Sequence, residues 1–227
     1  SEKYGMEYYR PYWDETPDQG LVDHHASTIF PLLHRRKVFA EVENFRLYDF
    51  WSDSGFVDEN VFSYSNLFQG HAALVVYNNR FGDSSGWVKQ SAPYLVKDGN
   101  EGQLRQSDLA DALHLKGDAD DLVLFRDNNS RLWFLRKLGE IRERGMHFDL
   151  QAYGHQVLLD FQVVNGPQFT SLYQMYQGQG IADLGGALEE IGSAALLQPL
   201  RAVINAQTLK GLSQPVIRDG HGEPRRH

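Results

Sequence analysis

The 227-residue chain contains no cysteine. Disulfides, thiolate nucleophiles and Cys-ligated zinc are therefore excluded, and the core has to be held by packing. Long apolar runs are missing as well. The longest, residues 72–77, falls far short of the roughly 20 residues that cross a bilayer. Residues 1–5, Ser-Glu-Lys-Tyr-Gly, are polar and show no apolar h-region, so neither a secretory leader nor a membrane partner is expected and the expected location is cytoplasmic. Positive charge is in deficit: 22 Lys and Arg stand against 30 Asp and Glu, a net charge of −8. That balance repels nucleic-acid phosphates, and no nucleic-acid partner is expected.

What is present is an ordinary globular composition, with 41% hydrophobic and 23% charged residues. A chain of this length buries enough surface to need no metal or cofactor for its core, and none is expected. Residues 1–20 mix Tyr8, Tyr9, Tyr12 and Trp13 with Pro11, Pro17 and Gly20 without a period. They read as an irregular segment that docks onto something. From Asp23 the spacing turns helical through Ile29, Leu32, Leu33, Arg36 and Phe39, with Pro31 kinking the helix or opening a second one.

Strand signals then dominate. Phe45, Leu47 and Trp51 alternate with polar neighbours up to a turn at Ser52-Asp53-Ser54-Gly55. Residues 61–64 and 72–78 flank a hairpin connection at 65–70, and Ala73-Leu74-Val75-Val76-Tyr77 reads as buried on both faces. A strand at 87–92 follows. The Asp98-Gly99 dipeptide predicts a hairpin turn between 94–97 and 103–106, and Ser107 a helix cap. Strands are expected at 122–126 and 132–135, then a short helix stopped by Gly145. The alternations Met146, Phe148, Leu150 and Val157, Leu159, Phe161, Val163 predict two more strands around Tyr153-Gly154. After Pro167 the spacing is helical again.

The expected fold is therefore mainly β within the α+β class: an antiparallel β-sandwich-like domain with flanking helices at both ends. Four segments are expected. An irregular and helical stretch occupies 1–41, the β-sandwich-like domain 42–164, a helical segment 165–212 and a disordered tail 213–227.

Chemical signals are weak. Asp23-His24-His25 matches a metal-ligand signature of one class of phosphoesterases, but the further aspartates that hold two cations are missing, and a helix-capping Asp followed by two helix-start histidines is the simpler reading. No metal site is assigned. His114, His147 and His155 lack the i, i+4 spacing of paired ligands, and Ser84-Ser85 lacks the Gly-x-Ser-x-Gly setting of a strained nucleophile. Gly178, Gly180, Gly185 and Gly186 fit neither a dinucleotide fingerprint nor a P-loop. Asp49, Asp53, Asp58, Glu59, Asp83, Asp127 and Asp160 sit at strand ends or turns, where Asx residues are expected in any β protein, so no catalytic residue is assigned. Trp51, Trp87 and Trp133 are the candidates for stacking on sugar rings, with Trp13 a fourth indole that could do so.

Two segments carry a resemblance. The run Ile29-Phe30-Pro31-Leu32-Leu33-His34-Arg35-Arg36-Lys37-Val38-Phe39, followed by Phe45-Arg46-Leu47-Tyr48-Asp49-Phe50, resembles the stretch after the catalytic barrel in bacterial α-amylase-type proteins of glycoside hydrolase family 13. The likeness continues in residues 57–66, in Ala73-Leu74-Val75-Val76-Tyr77-Asn78-Asn79-Arg80 and in Ser91-Ala92-Pro93-Tyr94, then in Phe125-Arg126-Asp127, Tyr153 and Phe161. None of the family's catalytic motifs is present, and a (β/α)₈ barrel needs about 250 residues of strand-helix alternation. The resemblance implies an accessory C-terminal domain of an enzyme acting on α-glucosidic bonds, not catalytic alone. Its partner would be the catalytic barrel of the same polypeptide, with residues 1–41 a remnant of the barrel periphery whose exposed stripe favours self-association. Two alternatives stand beside it: an α-glucan-binding module using exposed aromatics, and a metal-dependent phosphoesterase on Asp23, His24 and His25.

Overall fold

The computed structural model describes residues 16–98 and 101–203. The aromatic cluster expected before residue 16 and the tail expected at 213–227 lie outside the described residues. The chain divides between Asp183 and Leu184 into two compact units, within the segment expected to be helical from 165 to 212.

The first unit opens with α1 (Gln19–His24), a π-helical turn (His25–Ile29), α2 (Phe30–His34) and α3 (Arg36–Ala40). Asp18 caps α1 by accepting from Leu21 N, so the helix starts earlier than the Asp23 cap read from the sequence. Pro31 sits in the first turn of α2, where its missing N–H costs nothing.

Eight antiparallel strands follow in one curled sheet: β1 (Arg46–Ser52), β2 (Val61–Phe68), β3 (His71–Asn78), β4 (Ser84–Ser91), β7 (Leu122–Asp127), β8 (Trp133–Lys137), β9 (Met146–Leu150) and β10 (His155–Val164). Their order is β8-β7-β10-β3-β2-β1-β4-β9. A separate hairpin pairs β5 (Tyr94–Asp98) with β6 (Glu101–Arg105), Asp98 opposite Glu101, against the strands expected at 94–97 and 103–106; the connection between them lies outside the described residues. The short helix α4 (Leu109–Ala112) is capped by Asp108, which accepts from Asp111 N, not by Ser107. Helix α5 (Leu138–Arg144) joins the two terminal strands β8 and β9 and stops at Gly145, whose φ of 81° suits glycine. Helix α6 (Pro167–Tyr176) completes this unit. In the second unit the described element is α7 (Leu184–Val203). The chain is thus mainly β, sandwich-like, with helices at both ends. Among the described residues no helix is long and apolar enough to cross a membrane.

Strand β3 lies between β10 and β2, and both its faces are covered. Leu74 and Val76 join the main core with Phe50, Val88, Val123 and Phe161. Ala73 and Val75 pack on the other face with Val157, Leu159 and Val38 of α3. The helices are pinned there: Arg35 donates to both oxygens of Asp160 at 2.5 and 3.2 Å, Asn128 Nδ2 donates to Thr28 O, and Arg131 donates to Ser27 O.

Two expectations change at the strands. Strand β2 runs on through Phe68, and the hairpin turn shrinks to Gln69 and Gly70, both with positive φ. Strand β4 begins at Ser84 rather than Trp87.

Candidate functional site

Register decides what meets at the β1–β4–β9 end of the sheet. Phe50, Val88 and Met146 are opposite one another and buried in the core. Their neighbours Trp51, Trp87 and His147 therefore form a row on the outer face. Asp53, Ser85 and Asp149, each two residues along the chain from this row, form a second row beside it. Two of the tryptophans singled out from the sequence, Trp51 and Trp87, are thus cross-strand neighbours. Trp133 lies elsewhere, on the opposite terminal strand, bridged to Ile181 with the Arg126 guanidinium 5.7 Å from its ring.

Side-chain bonds tie the two rows together. Ser85 Oγ lies 2.7 Å from Asp53 Oδ2 and 2.6 Å from Asp149 Oδ1 and can donate to either. Trp87 Nε1 donates to Asp53 Oδ1 at 3.1 Å, and His147 Nε2 lies 3.0 Å from Asp53 Oδ2. The bonds from Ser85 and His147 hold the exposed Asp53 carboxyl below the usual carboxylate range. His147 packs edge-on to Trp87, ring centroids 4.9 Å apart, while the Arg144 guanidinium, from α5, sits 4.6 Å from the Trp87 ring. One of the Trp87 faces is thus taken by a cation, and Trp51, 47% exposed, is the more open indole.

A serine, an imidazole and two carboxylates together raise the question of nucleophilic catalysis. The geometry is not that of a triad. A triad places the serine and the carboxylate on different ring nitrogens, whereas here Asp53 and Ser85 share Nε2, with Ser85 at 3.3 Å, and Nδ1 is 3.7 Å from Asp149. The Ser85 proton also has closer acceptors in the two carboxylates than in the imidazole. The group is a hydrogen-bonded network that fixes Trp87.

This network borders a cleft of about 360 Å³, within the size range of small-ligand sites. The cleft lies where the sheet ends fail to pair, between β9 and the strands β7, β8 and β10. Its apolar lining includes the stacked rings of Phe125 and Phe134, with centroids 5.8 Å apart. Polar groups rim it: Arg136 from β8, Glu140 and Arg144 from α5, His147 and Asp149 from β9, and Gln156 from β10. Arg136 is half-buried and donates to Leu135 O and Gly178 O. Burial pulls its pKa down, while Tyr173 and Glu140 act in the opposite sense.

Of the other sequence candidates, Asp127 lines the cleft but is buried and engaged by Asn129 N, Ser130 N and Ser130 Oγ, and the metal-ligand candidates lie elsewhere. Asp23, His24 and His25 sit at the end of α1 and in the π-helical turn, where Asp23 accepts from Gln19 Nε2. Among the described residues no group of three His, Cys, Asp or Glu side chains could hold a metal ion. Sequence spacing did not bring Ser85 to His147 or Asp53 to His147, because 62 and 94 residues separate those pairs. Only the register of β4 with β1 and β9 does so.

No protein-family model and no curated protein matches this chain.

Proposed function

We propose that this chain is an accessory C-terminal domain of an α-amylase-type, α-glucan-active polypeptide, packing against a catalytic barrel that precedes it and performing no hydrolysis itself. The observation that carries this reading is the solvent side of the N-terminal helices. Leu21, Val22, Ile29, Phe30 and Leu33 are all exposed there, although the helical segment is firmly tied to the sheet by Arg35, Asn128 and Arg131. An apolar groove of about 480 Å³ continues this surface between those helices and the outer face of β2, β3 and β10, with Leu32, Phe39, Phe62, Tyr64 and Tyr77 among its lining. Several exposed large apolar side chains on one tethered helical segment, beside an apolar groove and among the exposed His34, Arg36 and Lys37, fit an intramolecular docking face better than a face left to water. The residues that carry the family resemblance include this same segment, 29–39.

The test begins with the gene. The reading frame upstream of Ser1 is expected to encode a (β/α)₈ barrel bearing the family's carboxylate motifs. Hydrogen exchange on the full polypeptide should then show residues 19–40 more protected than in this chain alone, and this chain alone should release no sugar from starch. An upstream region without a barrel, or equal protection in both proteins, defeats the reading.

A second reading, that exposed aromatics bind α-glucan, draws on the adjacent indoles of Trp51 and Trp87. It expects Trp51→Ala to weaken retention on immobilised starch; unchanged retention counts against it.

A further inference from the structure

The geometry points to the cleft beside β9 as a binding site for a short neutral oligosaccharide, held by Arg136, Arg144, Glu140 and Gln156 over the Phe125–Phe134 pair. Three observations lead there.

Polar capacity in the cleft is unspent. Among the described residues Arg144 has a ring contact but no hydrogen bond or ion pair, and the Gln156 amide has no side-chain hydrogen bond. Arg136 is bonded to backbone carbonyls alone, with no carboxylate within ion-pair distance among the described residues. Arg136 and Gln156 are half-buried and Arg144 is exposed; without a ligand their free donors and acceptors are met by water, which a ligand matching them replaces.

The backbone adds to this. Asp53 N donates to Ser85 O, so the main-chain groups of Ser85 point towards β1. Ladder alternation then directs Gly86 at β9, and turns the N–H and C=O of His147 and Asp149 away from β4, on the side where the cleft lies. The unpaired edge therefore presents donors and acceptors in alternation.

The charge pattern selects the ligand class. Two guanidiniums face the carboxylates of Glu140 and Asp149, and the third lining carboxylate, Asp127, is buried and engaged by Asn129 N, Ser130 N and Ser130 Oγ, so the cleft offers no unpartnered excess of either sign to attract an anion or a cation. Mixed donors and acceptors above an aromatic base suit a molecule whose hydroxyls both donate and accept and whose ring faces are apolar. That is a hexose chain. The cleft residues alone carry this assignment; only the choice of a malto-oligosaccharide as first probe rests on the function proposed above.

The test is isothermal titration calorimetry of the full 227-residue chain with maltotriose and cellotriose, with citrate as an anionic comparison. At least one trisaccharide should bind saturably, and citrate should not. Arg144→Ala and Gln156→Ala, both clear of the core, should each weaken the sugar by about tenfold, the loss of one charged or shared hydrogen bond. Val42→Ala, exposed and outside the cleft, should leave that affinity unchanged. Circular dichroism must show both cleft variants folded. Silence with both trisaccharides, tighter binding of citrate, or binding indifferent to Arg144 and Gln156 overturns the proposal. Because the docking reading is tested on the upstream gene and on the helices, the two can fail separately.

Discussion

Asp58 shows how a single carboxylate stabilises the β1–β2 connection. It is 6% exposed and accepts from Asn60 N at 3.1 Å, Asn60 Nδ2 at 3.0 Å and Ser84 Oγ at 2.9 Å, with Arg80 Nη2 at 3.4 Å. Burial alone pushes its pKa up, but these donors and the Arg80 charge together outweigh burial and hold it below the usual 3.8. A depressed native pKa means the folded state favours the carboxylate. The stabilisation is therefore present above pH 3.8 and is lost as pH falls through the lower native value. Asp58→Asn keeps the shape and removes the charge. It should cost about 1–2 kcal/mol at neutral pH, with the gap to the parent protein closing below pH 3.8, read from urea midpoints across the acid range. A gap independent of pH would mean that the charge contributes nothing. The sequence marked Asp58 only as a residue of a turn, which its bonds to Asn60 bear out; Ser84 and Arg80 become its partners through the fold.

At the level of elements, β1 and β4 approach closely at Gly86. A Cβ placed there would lie 2.2 Å from Trp51 O and 2.8 Å from both Phe50 Cε1 and Ser52 Cα. Backbone cannot yield as a side chain does, so Gly86→Ala should force the two strands apart. The expected cost is about 1–3 kcal/mol in thermal or urea unfolding. Gly192, in α7, has nothing within 4 Å of the same position. Gly192→Ala should be neutral or stabilising, because alanine is the better helix former. Equal effects at both sites would remove the argument from close approach.

Elements were legible where burial imposes a local period. Strand β9 alternates because one side of it enters the core, and the run in β3 is unbroken because core lies on one side and α3 on the other; in β10 Val157 and Leu159 face α3 while Phe161 enters the main core, the side changing at the register shift between Leu159 and Gln162. The second half of β2 was not legible. Ser65 and Asn66 break the apolar pattern, yet both are buried, Ser65 Oγ sharing a hydrogen bond with Tyr48 Oη and Asn66 Nδ2 donating to Glu41 O. A polar side chain satisfied by a distant partner looks like a loop residue from its neighbours alone. The cleft was invisible for a related reason: Arg136, Arg144 and Gln156 come from three elements, and only sheet order joins them. Of the three tryptophans, two were brought together and one was not, which single positions could not foretell.

Over the whole molecule two long-range forces oppose one another. A net charge of −8 repels a second copy, while the exposed side chains of Leu21, Val22, Ile29, Phe30 and Leu33 attract one when no other surface covers them. The repulsion reaches about 10 Å in 0.1 M salt and about 3 Å in 1 M, whereas apolar burial does not weaken as salt screens charge. Adding sodium chloride should therefore raise the weight-average mass of this chain in sedimentation equilibrium. Phe30→Ser combined with Leu33→Ser should hold the mass at the monomer value throughout, since neither side chain is buried in the core. If salt instead dissociates the assemblies, ion pairs hold the copies together and the apolar face is not the surface in contact. If the double variant associates like the parent protein, the contact lies elsewhere, and the helices lose their claim to be a docking face.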